Sequence, residues 1–122
     1  MGDRGNIVLR YSPPEEQPQE IFLYTHSRGS DIGGVLQAAL AKKWRWNDEI
    51  YLARIIFDEL IGRDQGEETG YGLSPFVGDN EHDYLVVDFA AQKVLQQDPE
   101  SRKTKKSWTF EEFAALKKPV KV

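Results

Sequence analysis

The amino-acid sequence predicts an α+β fold: an antiparallel sheet of about four to five strands with two or three helices mainly on one face, in the order β-β-α-α-(β)-β-β-α. Three observations carry that expectation. Residues 6–11, 20–25 and 84–88 are short runs rich in β-branched and aromatic side chains, the first of them closed by prolines. From Ser30 the apolar spacing becomes helical. Further on, Thr109 and Glu112 stand at capping-box spacing. Strands joined by short connections, with helices grouped between and after them, pack as a sheet covered on one side.

The first strand closes at Ser12-Pro13-Pro14, and the polar loop before Glu20 suits a loose antiparallel hairpin. A helix follows, capped by Ser30 or Asp31, with Ile32, Val35, Leu36, Ala39, Leu40 and Lys43 at helical spacing. Gly33 and Gly34 each disfavour that helix by about 1 kcal/mol relative to Ala, unless something must approach its backbone closely. In the second helix Asn47 is the expected N-cap, Asp48 and Glu49 suit the positive helix end, and Ile50, Ala53, Ile56, Phe57, Leu60 and Ile61 form the apolar stripe. Trp44 and Trp46 are expected over the junction of the two helices. Residues 62–78 hold five glycines and a proline and read as irregular, with part of the stretch pairing with the sheet. Residues 84–88 and 94–96 form a second hairpin across a FAAQ turn. The last helix starts at Thr109, with Trp108 and Phe113 as a hydrophobic staple.

The 122 residues are expected to form one domain over 1–122, with flexible loops near 12–20, 62–72 and 98–107. Absence of cysteine removes thiol catalysis, Cys-ligated zinc and a disulfide framework, and makes the cytoplasm the expected compartment. No run approaches the roughly 18 apolar residues needed to span a bilayer, and no charged-then-apolar leader opens the chain, so neither membrane nor export is expected. Net charge is -4, yet residues 101–122 carry seven basic and two acidic side chains. The basic knot at Arg102, Lys103, Lys105 and Lys106 is read as a solvated loop, because duplex binding needs a larger basic face. Nucleic acid is therefore not an expected partner.

Two segments are candidates for chemistry. The first runs from strand end to helix start, where His26, Ser27, Arg28 and Ser30 offer donors to an anionic group beside free helix amides. The second is the loop with Tyr71 between two glycines, then Phe76 and Asn80, suited to stacking on a flat group. Arg54 on the second helix is a further anion contact, weighed against an i,i+4 pair with Asp58. Asp79, Glu81, His82 and Asp83 lack the spacing of a calcium loop, so no metal and no cofactor are expected. His26 and His82, the only histidines, form an acid/base pair only if folding joins their loops.

Gly5-Asn6-Ile7-Val8, Ile21-Phe22-Leu23-Tyr24-Thr25-His26, Tyr51-Leu52-Ala53-Arg54-Ile55-Ile56-Phe57, Thr69-Gly70-Tyr71-Gly72-Leu73-Ser74 and Asp79-Asn80-Glu81-His82 together resemble a family of small phage, prophage and bacterial proteins. The resemblance covers nearly the full chain and brings no catalytic residue with it. It implies small proteins that act by binding, including sequestering host nucleotide signals or blocking a host protein. The expected function is therefore a non-enzymatic binding protein that holds an anionic, nucleotide-derived ligand between His26–Ser30 and Tyr71–Asn80. The rivals are an acidic module that binds a host protein and a hydrolase of phosphodiesters using His26 and His82. A homo-oligomer is also expected, from apolar surface left over on a small two-layer sheet.

Overall fold

The computed structural model describes residues 2–122. Six strands form one mixed sheet: β1 (Gly5–Tyr11), β2 (Gln19–Thr25), β3 (Tyr71–Ser74), β4 (Tyr84–Asp88), β5 (Lys93–Gln97) and β6 (Thr104–Thr109). Their order across the sheet is β3-β2-β1-β4-β5-β6. The helices are α1 (Ile32–Ala41), α2 (Glu49–Ile61) and α3 (Phe110–Ala114). The α+β class and its element order stand, but the sheet is not antiparallel throughout, because β1 and β4 run parallel. The sixth strand falls where the basic knot suggested a loop: β6 pairs with β5 and places Trp108 beside Val94.

Alternation along the strands divides the side chains between two faces. Ile7, Leu9, Leu23, Leu85, Val87 and Val94 face the helices and join one large apolar core. Val8, Phe22, Tyr84 and Val86 form a second, smaller cluster. Against the first face, α1 buries Ile32, Val35, Leu36, Ala39 and Leu40, at the spacing the sequence predicts. In α2 the buried stripe is Leu52, Ile55, Ile56 and Leu60. Ile50 is exposed, so the packed stripe is rotated from the expected one around the shared Ile56 and Leu60. The N-cap is correspondingly Asp48, whose side chain accepts from the Tyr51 amide, and not Asn47. Asn47 instead accepts from Gln92 Nε2.

Trp46 covers the helix junction, donating from Nε1 to the Leu40 carbonyl and meeting the Phe110 ring edge-on. Trp44 stays exposed. Thr109 and Glu112 form the reciprocal capping box, and Trp108 packs on Phe113 with ring centroids 5.3 Å apart. The two glycines of α1 have their reason in the segment that follows α3. A Cβ built on Gly33 would lie 2.0 Å from the Val120 carbonyl oxygen, and one on Gly34 would meet the Asp31 carboxylate and Pro119. The helix gives up propensity there so that the 119–120 backbone can lie against it.

Strand direction then places the site. β2 is antiparallel to both β1 and β3, so β3 points the same way as β1 and β4. Strands with a common direction need a return connection. β3 ends with Ser74 opposite Phe22, whereas β4 begins with Tyr84 one position before the Ile7–Leu85 pair. Residues 75–83 must therefore travel back across β2 and β1. The Asn6 amide donates to the Asp79 carbonyl, and the Glu81 amide to the Arg4 carbonyl, so this return lies on the sheet side away from the helices.

Candidate functional site

The return loop and the sheet enclose a cavity of about 440 Å³. Its walls include Asn6 from β1, Phe22 and Tyr24 from β2, Ser74 at the end of β3, and Phe76 and Asp79 from the loop. The size and the apolar walls with few polar groups are those of a small-molecule site. Phe76 is 68% exposed, so the ring that closes the cavity has no partner on its outer side.

Asn6 is fully buried. Its Nδ2 donates to the Asp79 carbonyl at 2.9 Å and to Asn80 Oδ1 at 3.1 Å, two acceptors that fix the orientation of the amide. Asn80 in turn donates from Nδ2 to the His82 carbonyl at 2.5 Å. The remaining atom, Asn6 Oδ1, is buried without a hydrogen-bond partner. An unmet buried acceptor is costly, by about 1–3 kcal/mol, and this one is closed off behind the cavity wall, where it has no accessible surface.

The charged groups of the rim are mixed. Arg4 Nη1 lies 3.7 Å from Asp79 Oδ2, and Arg4 Nε lies 3.3 Å from Glu81 Oε1. Hydrogen bonds from the Arg4 backbone and then from its side chain hold the Glu81 carboxyl below its usual range. Burial, followed by the Asp79 carboxylate, pushes the Tyr24 phenol up. The Tyr24 hydroxyl and His26 Nδ1 are 3.1 Å apart, which sets His26 at the end of the same face.

The predicted site residues fall in two groups. The two candidate segments are neighbours in the fold, since the His26 amide donates to the Gly70 carbonyl and Ser27 and Arg28 lie beside the Tyr71 hydroxyl, whereas Phe76 and Asn80 lie at the cavity under the return loop. Arg28 donates from Nη1 to the Leu60 carbonyl at 3.0 Å and from Nη2 to Asp31 Oδ2 at 2.8 Å, closing the C-terminal end of α2. Ser27 is exposed at the turn before it. Ser30 is taken up by Asp3, donating to Oδ2 from its amide at 3.0 Å and from its hydroxyl at 2.5 Å. Those bonds, with a third from His82, lower the Asp3 carboxyl to about 2. Neither Ser30 nor Asp31 caps α1 with its side chain. Arg54 pairs with Asp58 one helical turn away, at 2.5 Å on the exposed flank of α2.

Tyr71 and Phe76 lie on opposite faces of the sheet. Tyr71 pairs with Thr25 and packs against the helix-side core, donating its hydroxyl to Asp64 Oδ2 at 2.7 Å. It lines a separate cavity of about 280 Å³ with Phe57, Ile61 and Asp64. His82 lies between Asp3 Oδ1, 2.5 Å from Nε2, and the Val122 carbonyl, 3.2 Å from Nδ1. Both of its nitrogens thus face acceptors inside the protein, and among the described residues no hydrogen bond joins it to His26. Of the predicted residues, Phe76 lines the cavity under the return loop and Asn80 orients its buried amide. Tyr24 opens the first candidate segment, whereas Asn6 and Phe22 escaped the sequence reading because they alternate with core residues inside ordinary strands. The one signal they carry is Asn6, a polar residue set directly before the apolar run Ile7-Val8-Leu9.

Among the described residues, no group of three or more His, Asp or Glu is arranged to hold a metal ion. No helix among them is long and apolar enough to cross a membrane. Comparison with protein-family models, with curated proteins and with solved structures finds no match for this chain.

Proposed function

We propose that the protein is a binding protein for a small nucleotide-derived ligand, held by its flat base in the cavity under the 75–83 loop. The ring of Phe76 stacks on one side of the base, and Phe22 and Tyr24 supply the apolar wall opposite. The apolar cavity bordered by the exposed Phe76 ring is the observation that carries the reading, because a flat group gains stacking area there with few polar groups to satisfy. Aromatic stacking on a base contributes about 1–3 kcal/mol.

Calorimetric titration with adenosine, guanosine, cytidine and uridine tests it. At least one nucleoside is expected to bind, with affinity falling at least tenfold in Phe76→Ala at unchanged Tm, since that ring is exposed. Absence of heat with all four overturns the reading. A second reading rests on Leu73, Phe76 and Val77, which together expose apolar surface along the β3 edge and would suit a protein partner or a second copy. Light scattering separates the two: a dimer that Phe76→Ala disperses, without nucleoside binding, favours the protein surface.

A further inference from the structure

On the same sheet face, beyond Phe22, a second recess is lined by Arg10, Pro18, Glu20, Pro75, Gln97 and Arg102. We propose that this recess receives the anionic part of the ligand, a phosphate group joined through its sugar to the base; the inference rests on the cavity reading above.

The recess is lined by two arginines and one carboxylate. Arg10 donates to Glu20 Oε2 from Nε at 3.1 Å and Nη2 at 2.9 Å. Arg102 donates from Nη1 to Oε1 at 3.1 Å and from Nη2 to Oε2 at 2.7 Å. Two guanidiniums share one carboxylate, and all three side chains are at most one-third exposed. Burial alone would raise the Glu20 carboxyl, but the bonds from Arg102 and Arg10 outweigh it and hold it low. The trio therefore keeps one positive charge in excess in a partly desolvated place, where an added anion completes the neutralisation.

Arg102 is also pre-oriented. Its Nε donates to Gln97 Oε1 at 2.9 Å, its guanidinium lies 5.2 Å from the Tyr84 ring centroid, and its backbone holds φ at 62°. A fixed planar fork favours two-point binding of phosphate oxygens. Among the described residues, Arg10 Nη1 has no hydrogen-bond partner. The facing acid is Asp88, opposite Arg10 in the β1–β4 register, and it accepts from the Ala91 amide in its own turn.

Spacing supports one ligand for both recesses. Glu20 and Phe22 are two residues apart on the same face of β2, about 7 Å, a gap suited to a pentose. Ser74-Pro75-Phe76 borders both cavities. The anion site is thus distinct from the corner at Arg28 and Ser30, where Arg28 Nη1 and Nη2 and the Ser30 hydroxyl bond within the fold.

Calorimetry with each nucleoside and its 5′-monophosphate and 5′-diphosphate tests the inference. The phosphorylated forms are expected to bind at least tenfold tighter than the nucleoside, with the gain shrinking as NaCl rises. Arg10→Gln is expected to remove most of the gain while leaving nucleoside affinity unchanged, and Arg102→Gln, if it folds, to do the same. Nucleosides and nucleotides of equal affinity, or a gain untouched by Arg10→Gln, overturn the phosphate recess and leave the base cavity standing. Failure of every nucleoside and nucleotide removes both.

Discussion

The two faces of the sheet solve different problems with the same strands. Beneath the helices, Ile7, Leu9, Leu85 and Val87 meet Leu36, Leu40, Leu52, Leu60 and Phe113, all but fully buried and all apolar. On the opposite face Val8 and Val86 are just as buried, yet they share their surface with Asn6, Glu20, Arg10 and Arg102. No helix lies there, and cover comes from the 75–83 return and the Arg102 side chain. The helix side is built for stability, and the open side trades apolar packing for placed polar groups, one of which lacks a partner. Two faces of one sheet can therefore be separated by mutation, because alternate residues of each strand serve different ends.

The largest effect should come from the helix side. Leu36→Ala is expected to lower unfolding free energy by about 3 kcal/mol, the range for a fully buried leucine, measured by chemical denaturation with nucleoside binding retained. A loss under about 1 kcal/mol would break the comparison. A smaller effect is expected on the open face: Glu20→Gln leaves two guanidiniums without their carboxylate and should cost about 1–3 kcal/mol. Its effect on phosphate affinity should be opposite in sign, since the recess becomes more positive.

The smallest effect lies at the sheet end, where Asp3 joins Ser30 and His82. Asp3 has its folded pKa lowered from 3.8 to about 2, so its contribution is complete above 3.8 and lost as pH falls toward 2. Glu20, also held low, acts in the same direction. Tm should therefore fall between pH 4 and 2, and Asp3→Asn should flatten part of that limb. An unchanged slope in the variant would place the acid sensitivity on the other lowered carboxyls, Glu20, Glu81 and Asp98.

Local chemistry made much of this fold legible. The Thr109 capping box, the burial pattern of α1 and both hairpins follow from neighbouring residues. Gly33 and Gly34 signalled a close approach, though nothing in the chain named Val120 as what approaches. Long-range pairing was not legible. The parallel β1–β4 pair depends on where the return from β3 lands, and Arg102 meets Glu20 across 82 positions. Thr104–Thr109 looked like a loop because lysines dominate it; only the partner strand β5 shows that they decorate an edge. Among the candidate site residues, Phe76 and Asn80 lay within reach of the reasoning because unusual loops draw attention to their side chains. Arg28 and Ser30 also bond within the fold for an equally physical cause: donors that suit an anion also suit a helix end and a carboxylate of the same chain.

The lysines of β6 have a consequence for how the molecule behaves in a crowded solution. A strand from another copy that docked on this border would have to strip water from Lys106 and disturb Lys105, whose ammonium grips Asp83 at 2.9 Å. Edge cations of this kind oppose edge-to-edge pairing of one sheet with the next. The basic run thus acts as a terminator, ending the ladder of strands at one chain and keeping it from growing into a fibre on that side.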